Sequence, residues 1–164
     1  MIYQSPVGDI LLKATDKALI QLHFLTEAER ENIVERDSGT QSSILNAALT
    51  QLDDYFAGKR HDISVPLHLG GTPFMQEVWS ALINIPYGQT KTYGEIAASI
   101  GRPKAARAVG MACNRNPIAL FVPCHRVVGA NGNLVGFRGG THIKEKLLAL
   151  EAENKKQVKT SKKK

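Results

Sequence analysis

The chain has 164 residues and a formal net charge of +6, from 21 Lys and Arg residues against 15 Asp and Glu residues. This length supports one large hydrophobic core or two small cores packed together, and no apolar stretch is long enough to span a bilayer. Only two cysteines, Cys113 and Cys124, are present, which argues against a disulfide framework and favours a reducing compartment. Residues 1–9 lack the basic and apolar regions of a signal peptide, so we expect a cytoplasmic protein, or a nuclear one if the source is eukaryotic.

The positive charge is concentrated in the second half of the chain. Residues 1–70 carry six Lys and Arg against ten Asp and Glu, a net of −4, whereas residues 71–151 carry nine against four, a net of +5. No acidic residue occurs between Glu95 and Glu145. Such a regional bias is typical of a surface that binds a polyanion such as nucleic acid, although an ordinary solvated surface can have the same composition. The Lys-rich segment 152–164 has almost no large apolar residue, and we predict that it is disordered.

The first 70 residues carry strand and helix patterns but no grouping of catalytic side chains. Alternating and periodic apolar residues predict a hairpin, then a surface connection with some helix, then an amphipathic helix that ends at Gly58, and then a short strand. These elements are predicted at residues 1–24, 27–42, 44–56 and 63–67, respectively.

A second domain is predicted to begin at the turn formed by residues 70–73. Thr72 can cap a helix that has Pro73 at its first position and stops at residues 86–88. Thr92 can cap a second helix at residues 93–99, and a tight turn at 101–103 leads into a third, Ala-rich helix at 104–113. Two short helices joined by a glycine-containing turn form a helix-turn-helix outline, and with the basic bias this favours DNA binding over simple core packing.

The segment Pro123-Cys124-His125-Arg126 follows an apolar run at residues 118–122 that reads as a buried strand. A cysteine is nucleophilic as its thiolate, and a neighbouring positive charge or histidine base lowers its pKa. A lone cysteine after an apolar run is more often an inert core residue, but an inert thiol gains nothing from two polar neighbours. The spacing of Cys113 and Cys124 is not that of a structural zinc site, so a metal site is the weaker alternative.

The sequence resembles the methylated-DNA–protein-cysteine methyltransferase family, the O6-alkylguanine-DNA alkyltransferases. The resemblance is carried by Lys-Ala-Ala-Arg-Ala-Val-Gly at residues 104–110, by Asn116-Pro117, and by Pro-Cys-His-Arg-Val-Val at 123–128, within a match over 72–151. Ser-Pro-Val-Gly at residues 5–8 is similar to the family's N-terminal domain. The resemblance implies an α+β protein, with a ribonuclease-H-like sheet-and-helix domain at residues 1–70 and a mainly helical, winged-helix-like helix-turn-helix domain at 71–151.

The resemblance also implies a reaction. Cys124 would accept the alkyl group from O6 of guanine in DNA, and less readily from O4 of thymine, as a stable thioether. Because the thiol would not be regenerated, one protein molecule would repair one lesion. His125 would act as base towards Cys124, with a water or a turn between them, and Glu151 would orient His125.

Family members extrude the damaged nucleotide from the duplex. By resemblance, Arg107 would fill the vacated place in the base stack, Tyr93 would push on the phosphate and donate a proton towards the departing guanine, and Asn116 would tie the helix-turn-helix to the active-site loop. The other expected DNA contacts are Thr92, Ala105, Ala106, Arg115 and Arg126, and the expected pocket residues are Val127, Phe137, Arg138 and Gly139. Phe137 and Arg138 depart from members that have Tyr followed by a small residue, so we expect an altered tolerance of large alkyl groups.

The partner implied by the resemblance is double-stranded DNA, bound in the minor groove with little sequence preference and mainly through phosphates. Some members hold a structural zinc through cysteines of the N-terminal domain, but residues 1–112 contain no cysteine, so we expect no metal. We also expect no cofactor, no membrane partner and a monomer.

Three other kinds of protein have to be distinguished from a repair protein. An alkyltransferase-like protein that only marks damaged bases has another residue at the acceptor position, and Cys124 argues against it. A cysteine hydrolase would use Cys124 and His125 with an oxyanion pocket, and it would turn over a chromogenic ester. A regulatory helix-turn-helix protein would be indifferent to Cys124→Ala.

Overall fold

The computed structural model describes residues 1–32, 43–134, 137 and 140–162, with side chains of the last helix described to residue 155. The strands are β1 (Ile2–Ser5), β2 (Gly8–Ala14), β3 (Leu19–Phe24), β4 (Lys91–Thr92) and β5 (Val127–Val128). The helices are α1 (Glu27–Asn32), α2 (Ser43–Phe56), α3 (Pro73–Ile83), α4 (Tyr93–Ser99), α5 (Ala106–Asn114) and α6 (Thr141–Lys162), with a 3₁₀ turn at Cys124–Arg126. No helix among the described residues has the length and apolar character needed to cross a membrane.

The N-terminal half is a three-stranded antiparallel sheet covered by α2. The strand order is β1-β2-β3, so the predicted hairpin of β2 and β3 is confirmed and gains a third strand at its edge. Helix α2 turns Ala48, Leu52 and Tyr55 inward, all 1% exposed or less, as its 3.6-residue apolar period requires.

The predicted strand at residues 63–67 is wrong. The segment makes only one parallel bridge, between Leu19 and Leu67, and the chain bonds to β3 from Pro66 O and His68 N. Pro66 has no N–H to donate, so a regular ladder cannot continue through it.

The helices α3, α4 and α5 form a compact group around a second cluster of apolar side chains. Thr72 Oγ1 accepts from Met75 N at 3.2 Å, and Thr92 and Glu95 form a reciprocal capping box, so the two predicted N-caps are confirmed. Gly101, at φ +77°, turns the chain between α4 and α5. Helix α5 begins at Ala106 rather than at 104, and its N-cap residue, Ala105, makes no side-chain capping hydrogen bond.

The apolar run 118–122 is buried, but it is not the predicted strand. Ile118 bridges Leu22 of β3, and Ala119 N donates to Leu22 O at 2.9 Å. Leu120 then adopts φ +71°, a left-handed conformation that is uncommon for a residue other than glycine and that ends extended pairing. This turn directs the chain back so that Val122 N bonds Ile118 O at 3.0 Å, and it places the following residues between the two halves.

One apolar core belongs to both halves of the chain. It contains Ile10, Leu22 and Tyr55 from the first half together with Ile118 and Leu147 from the second. The closing helix α6 runs on to Lys162, so the prediction that the whole of 152–164 is disordered is wrong for its described backbone. Asn154 O lies 3.3 Å from His61 Nε2, which ties this end of the helix to the N-terminal half.

Candidate active site

Cys124 lies in a short turn at the junction of the two halves. Pro123 interrupts the preceding segment, the 3₁₀ turn Cys124–Arg126 follows, and β5 then pairs in parallel with β4. The thiol residue is 8% exposed and lines a cavity of about 20 Å³, which is close to the space that one water molecule occupies. The cavity is bounded by His23, Phe24, Cys113, Asn114, Asn116, Ala119, Cys124 and Phe137.

Burial dominates the acidity of this thiol. Burial raises the pKa of Cys124, while a hydrogen bond with the Asn116 side chain and the charge of Lys144 act in the opposite direction. The result is a thiol that holds its proton more strongly than a free cysteine does. Among the described residues, the cation that lowers the pKa of Cys124 is Lys144, from a distant helix, and not the adjacent Arg126.

Asn116 fixes the backbone that presents Cys124. Its Nδ2 donates to Val122 O at 2.8 Å, and its Oδ1 accepts from Ile118 N at 3.0 Å. The residue is 6% exposed and follows the end of α5. It therefore links the second helix of the helix-turn-helix to the active-site segment through both of its polar atoms.

A buried carboxylate stands at the centre of a polar network that includes His125, the residue that follows Cys124. Glu151, which is 0% exposed, accepts at Oε2 from His125 Nε2 at 2.6 Å, from Tyr55 Oη at 2.6 Å and from Arg126 Nη2 at 3.0 Å. Its Oε1 accepts from Arg126 Nε at 2.9 Å and from Gly88 N at 3.2 Å. A carboxylate with five donors is well matched to burial.

The charges in this network hold Glu151 ionised. Burial alone would raise the pKa of Glu151, but the charge and hydrogen bond of His125 and the guanidinium of Arg126 outweigh burial and hold that pKa well below its usual range. Because Nε2 of His125 faces the carboxylate, its hydrogen lies on that nitrogen. The other ring nitrogen, Nδ1, is buried and has no hydrogen-bond partner among the residues that the structure describes.

Arg126 was predicted to contact DNA, and the structure corrects this. Its side chain is 7% exposed and is used entirely inside the protein: it pairs with Glu151, donates from Nη1 to Ile85 O at 2.8 Å, and stacks over the ring of Tyr87 at 5.6 Å. An arginine in a bidentate buried pair cannot reach a phosphate without breaking that pair.

Sequence reasoning missed Lys144. This lysine is 1% exposed, its Nζ lies 3.4 Å from Tyr93 Oη and 5.7 Å from the centre of the Tyr93 ring, and burial lowers its pKa while the two thiols oppose that shift. Burial, followed by the nearby Cys113 and Cys124, raises the pKa of Tyr93 to about 12. The helical period carried the signal, because Lys144 and Glu151 lie two turns apart on one face of α6.

The other predicted site residues are distributed over the surface and the core. Arg107 and Arg115 are exposed on α5 and just after it, and Thr92, Ala105 and Ala106 are partly buried. Val127 is fully buried in β5 and packs in the apolar cluster of the second half, and it is not part of the cavity wall. Phe137 does line the cavity, while Arg138 and Gly139 lie outside the described residues.

The amino-acid sequence matches two family models and several relatives over most of its length. Residues 73–153 match the model of the 6-O-methylguanine DNA methyltransferase, DNA binding domain, and residues 1–69 match that of its ribonuclease-like domain. The chain is 50% identical to a methylated-DNA–protein-cysteine methyltransferase of Methanosarcina acetivorans over 92% of this chain and 96% of that protein. It is 46% identical to the protein of the same name from Mycobacterium leprae, over 96% and 92% of the two chains.

The fold agrees with solved structures as well. The structure of Mycobacterium tuberculosis OGT in complex with DNA superposes with a TM-score of 0.81 at 44% identity, covering 93% of this chain and 92% of that one. The predicted fold class is confirmed: an α+β protein in which a small N-terminal sheet domain precedes a helical domain. The family models and the relatives match the whole site region, including the Pro-Cys-His-Arg turn and Glu151. This chain therefore belongs to the methylated-DNA–protein-cysteine methyltransferase family.

Proposed function

We propose that this protein repairs DNA by transferring the alkyl group from O6 of guanine to Sγ of its own Cys124. O4-alkylthymine is a poorer substrate. The product is a thioether, which is stable to hydrolysis, so each protein molecule acts once. The observation that carries the proposal is that Cys124 lines a small cavity and that the next residue, His125, is hydrogen-bonded to the buried carboxylate of Glu151.

The reaction is a displacement at carbon. The Cys124 sulfur forms a bond to the alkyl carbon while the bond from that carbon to O6 breaks, and the electron pair leaves on the guanine. The thiol proton passes to His125 Nδ1, since Nε2 is held by Glu151. The purine anion takes a proton from Tyr93, whose phenol stays protonated because its pKa is raised.

Lys144 supports both ends of this transfer. Its ammonium group favours the thiolate form of Cys124, and its Nζ is within reach of Tyr93 Oη. A cation in this position stabilises negative charge as it develops on sulfur, and then on the phenol as that group gives up its proton. A thiol that is neutral at rest and ionises only when the site is assembled is protected from adventitious alkylation and oxidation.

The helix-turn-helix of α4 and α5 is the proposed DNA-binding surface. Arg107 is exposed on α5, and the partly buried alanines at its start let the backbone approach DNA closely. We place this surface in the minor groove, with the protein acting as a monomer and Arg107 occupying the place of the extruded base. The repair reaction then takes place wherever the genome is held, in the cytoplasm of a prokaryotic cell or in a nucleus.

The observed cavity is far smaller than a purine. Binding of the extruded base therefore requires side chains around the cavity to move, and Phe137 is the partly buried aromatic residue on its wall. The extent of that movement sets the range of alkyl groups that the protein accepts.

The test is a single-turnover transfer experiment. The protein is mixed with a duplex oligonucleotide containing O6-methylguanine, and the peptides and the DNA are analysed by mass spectrometry. We expect the Cys124 peptide to gain one methyl group as the lesion disappears, with Cys113→Ser still active and Cys124→Ser inactive. A persistent lesion with an unmodified Cys124 peptide contradicts the proposal, and turnover beyond one equivalent points to a hydrolase.

A second experiment tests base extrusion. Arg107→Ala is expected to slow repair of duplex DNA by about 100-fold or more, because extrusion costs a few kcal/mol of unstacking, and to leave the reaction with free O6-benzylguanine nearly unchanged. Arg60→Ala, in the N-terminal half, serves as the charge-matched control. Equal slowing with both substrates is the outcome that removes Arg107 from this role.

A further inference from the structure

The phenol of Tyr55 reaches the catalytic network from the other half of the molecule. Tyr55 lies in the last turn of α2, is 1% exposed, and its Oη donates to Glu151 Oε2 over 2.6 Å. The two residues are 96 positions apart in the chain. Tyr55 is not a member of any motif that carries the family resemblance.

The geometry makes this phenol a competitor of His125. Both donate to the same oxygen, Oε2, and both distances are 2.6 Å. Each donor withdraws negative charge from the oxygen that they share, so a stronger bond from one weakens the pull on the other. The strength with which Glu151 holds a proton on the imidazole therefore depends on the phenol.

The other groups around the carboxylate are a guanidinium, a backbone amide and a second tyrosine ring. Arg126 binds both carboxylate oxygens, Gly88 N binds Oε1, and the ring of Tyr87 lies edge-on to Tyr55 with centroids 5.9 Å apart. His61 stacks on the far face of this aromatic group, 3.9 Å from Tyr87. On the other side of the site, Lys144 is directed towards Tyr93 and the thiols.

We propose that Tyr55 is a positioning residue that limits how strongly Glu151 binds the imidazole of His125, because the phenol and the imidazole share Oε2 of Glu151. The inference rests on the proposed alkyl transfer to Cys124. It adds that the N-terminal domain sets the pH range of the reaction through one hydroxyl group.

The test is the pH–rate profile of single-turnover transfer by Tyr55→Phe. A carboxylate that has lost a donor holds a proton on His125 more strongly, so the acidic limb of the profile moves to higher pH. We expect a move of roughly half to one pH unit, which means a three- to tenfold slower transfer at pH 6 and an unchanged rate at pH 8.5. The phenylalanine ring keeps the aromatic contacts with Phe56 and Tyr87.

Tyr3→Phe is the matched control. Tyr3 Oη donates to the Asp53 carboxylate over 2.7 Å, so this variant also removes a phenol–carboxylate bond from the same domain but leaves the bond from Tyr55 to Glu151 in place. Its pH profile is expected to coincide with that of the unmodified protein. If Tyr55 has only a structural role, Tyr55→Phe will resemble Tyr3→Phe: each variant will have a lower unfolding temperature and an unchanged pH–rate profile.

A second substitution retains the hydroxyl in case Tyr55→Phe does not fold. Replacement of Tyr55 by 3-fluorotyrosine makes the phenol a stronger donor, and the acidic limb should then move to lower pH. If the unmodified protein fails to alkylate Cys124, the proposed function is wrong. If it alkylates Cys124 but neither substitution at position 55 moves the profile, the inference about Tyr55 alone is overturned.

Discussion

Lys144 is the residue whose role depends most on the folded structure. Its charge is buried, burial lowers its pKa, and it acts on a thiol twenty residues earlier in the chain. A lysine kept in such a place at the cost of desolvation is typical of a functional site.

We predict that Lys144→Met slows alkyl transfer by about tenfold at pH 7, since each unit of thiol pKa changes the thiolate fraction tenfold. The physical reason is that the pKa of Cys124, already raised by burial, rises further without the opposing cation. The measurement is the rate of reaction with O6-methylguanine DNA from pH 6 to 10, in which the loss should shrink as pH rises. Lys146→Met, on the exposed face of the same helix, is the control; equal rates for the two variants would contradict the role given to Lys144.

Glu151 links the active site to stability. The pKa of its carboxyl is held far below the usual value in the folded protein by His125 and Arg126, against the effect of burial. A group with a depressed folded pKa contributes stability at pH values above its unfolded pKa, and that contribution is lost as pH falls towards the folded pKa.

We therefore predict that the unfolding free energy decreases as pH falls below about 5, and that Glu151→Gln flattens this dependence. At pH 7 the variant should be less stable by about 3–5 kcal/mol, because Arg126 is left buried without its partner. Urea denaturation at a series of pH values measures both effects. Glu145→Gln, an exposed change on the same helix, should leave them unaltered, and a Glu151→Gln variant as stable as the parent at pH 7 would rule out this account.

At the scale of an element, the N-cap of α4 is the clearest case of local sequence determining local structure. Thr92 accepts from Glu95 N at 3.0 Å through Oγ1, and Glu95 Oε1 accepts from Thr92 N at 3.1 Å. This reciprocal pair fixes where the first helix of the helix-turn-helix begins.

We predict that Thr92→Ala lowers the unfolding free energy by about 1 kcal/mol, the usual value of a lost threonine cap. Thr90→Ala, an exposed change outside the helix, should cost less than about 0.5 kcal/mol. Thermal unfolding provides the comparison. Thr92 is also an expected DNA contact, so a variant that binds duplex DNA less tightly at unchanged stability would show that the contact matters more than the cap.

At the scale of the whole molecule, the two halves share one core. Leu22 of β3 is 0% exposed, and it pairs with Ile118 in the segment that leads to Cys124. The single tryptophan, Trp79, lies in the other cluster and donates to Ala112 O at 2.9 Å. A loss of stability caused by a substitution in the N-terminal half can therefore be measured through the fluorescence of Trp79 in the C-terminal half.

We predict that Leu22→Ala shifts the unfolding transition seen by Trp79 fluorescence, with a loss of about 2–5 kcal/mol for a fully buried leucine. The transition should remain single, because the shared core makes the two halves unfold together. Ile83→Ala, at a 47% exposed position, should change stability by less than about 0.5 kcal/mol. A Trp79 transition that does not respond to Leu22→Ala would mean that the halves unfold independently.

The amino-acid sequence by itself determined the features that depend on neighbours in the chain. The caps at Thr72 and Thr92, the amphipathic period of α2 and the break at Pro123 are local, and each was predicted at its place. The Pro-Cys-His-Arg segment also indicated the family and singled out Cys124 as the proposed nucleophile, because that combination of residue types has few uses.

Only the tertiary structure decided which charges meet. Arg126 stands next to Cys124 in the chain but pairs with Glu151, whereas Lys144 and Tyr55 reach the site from separate helices. The same is true of the segment 118–122, whose apolar residues predict a strand, whereas the left-handed conformation of Leu120 ends extended pairing there. Electrostatic and hydrogen-bond energies depend on distance in space and on burial, and neither quantity is written in the order of the residues.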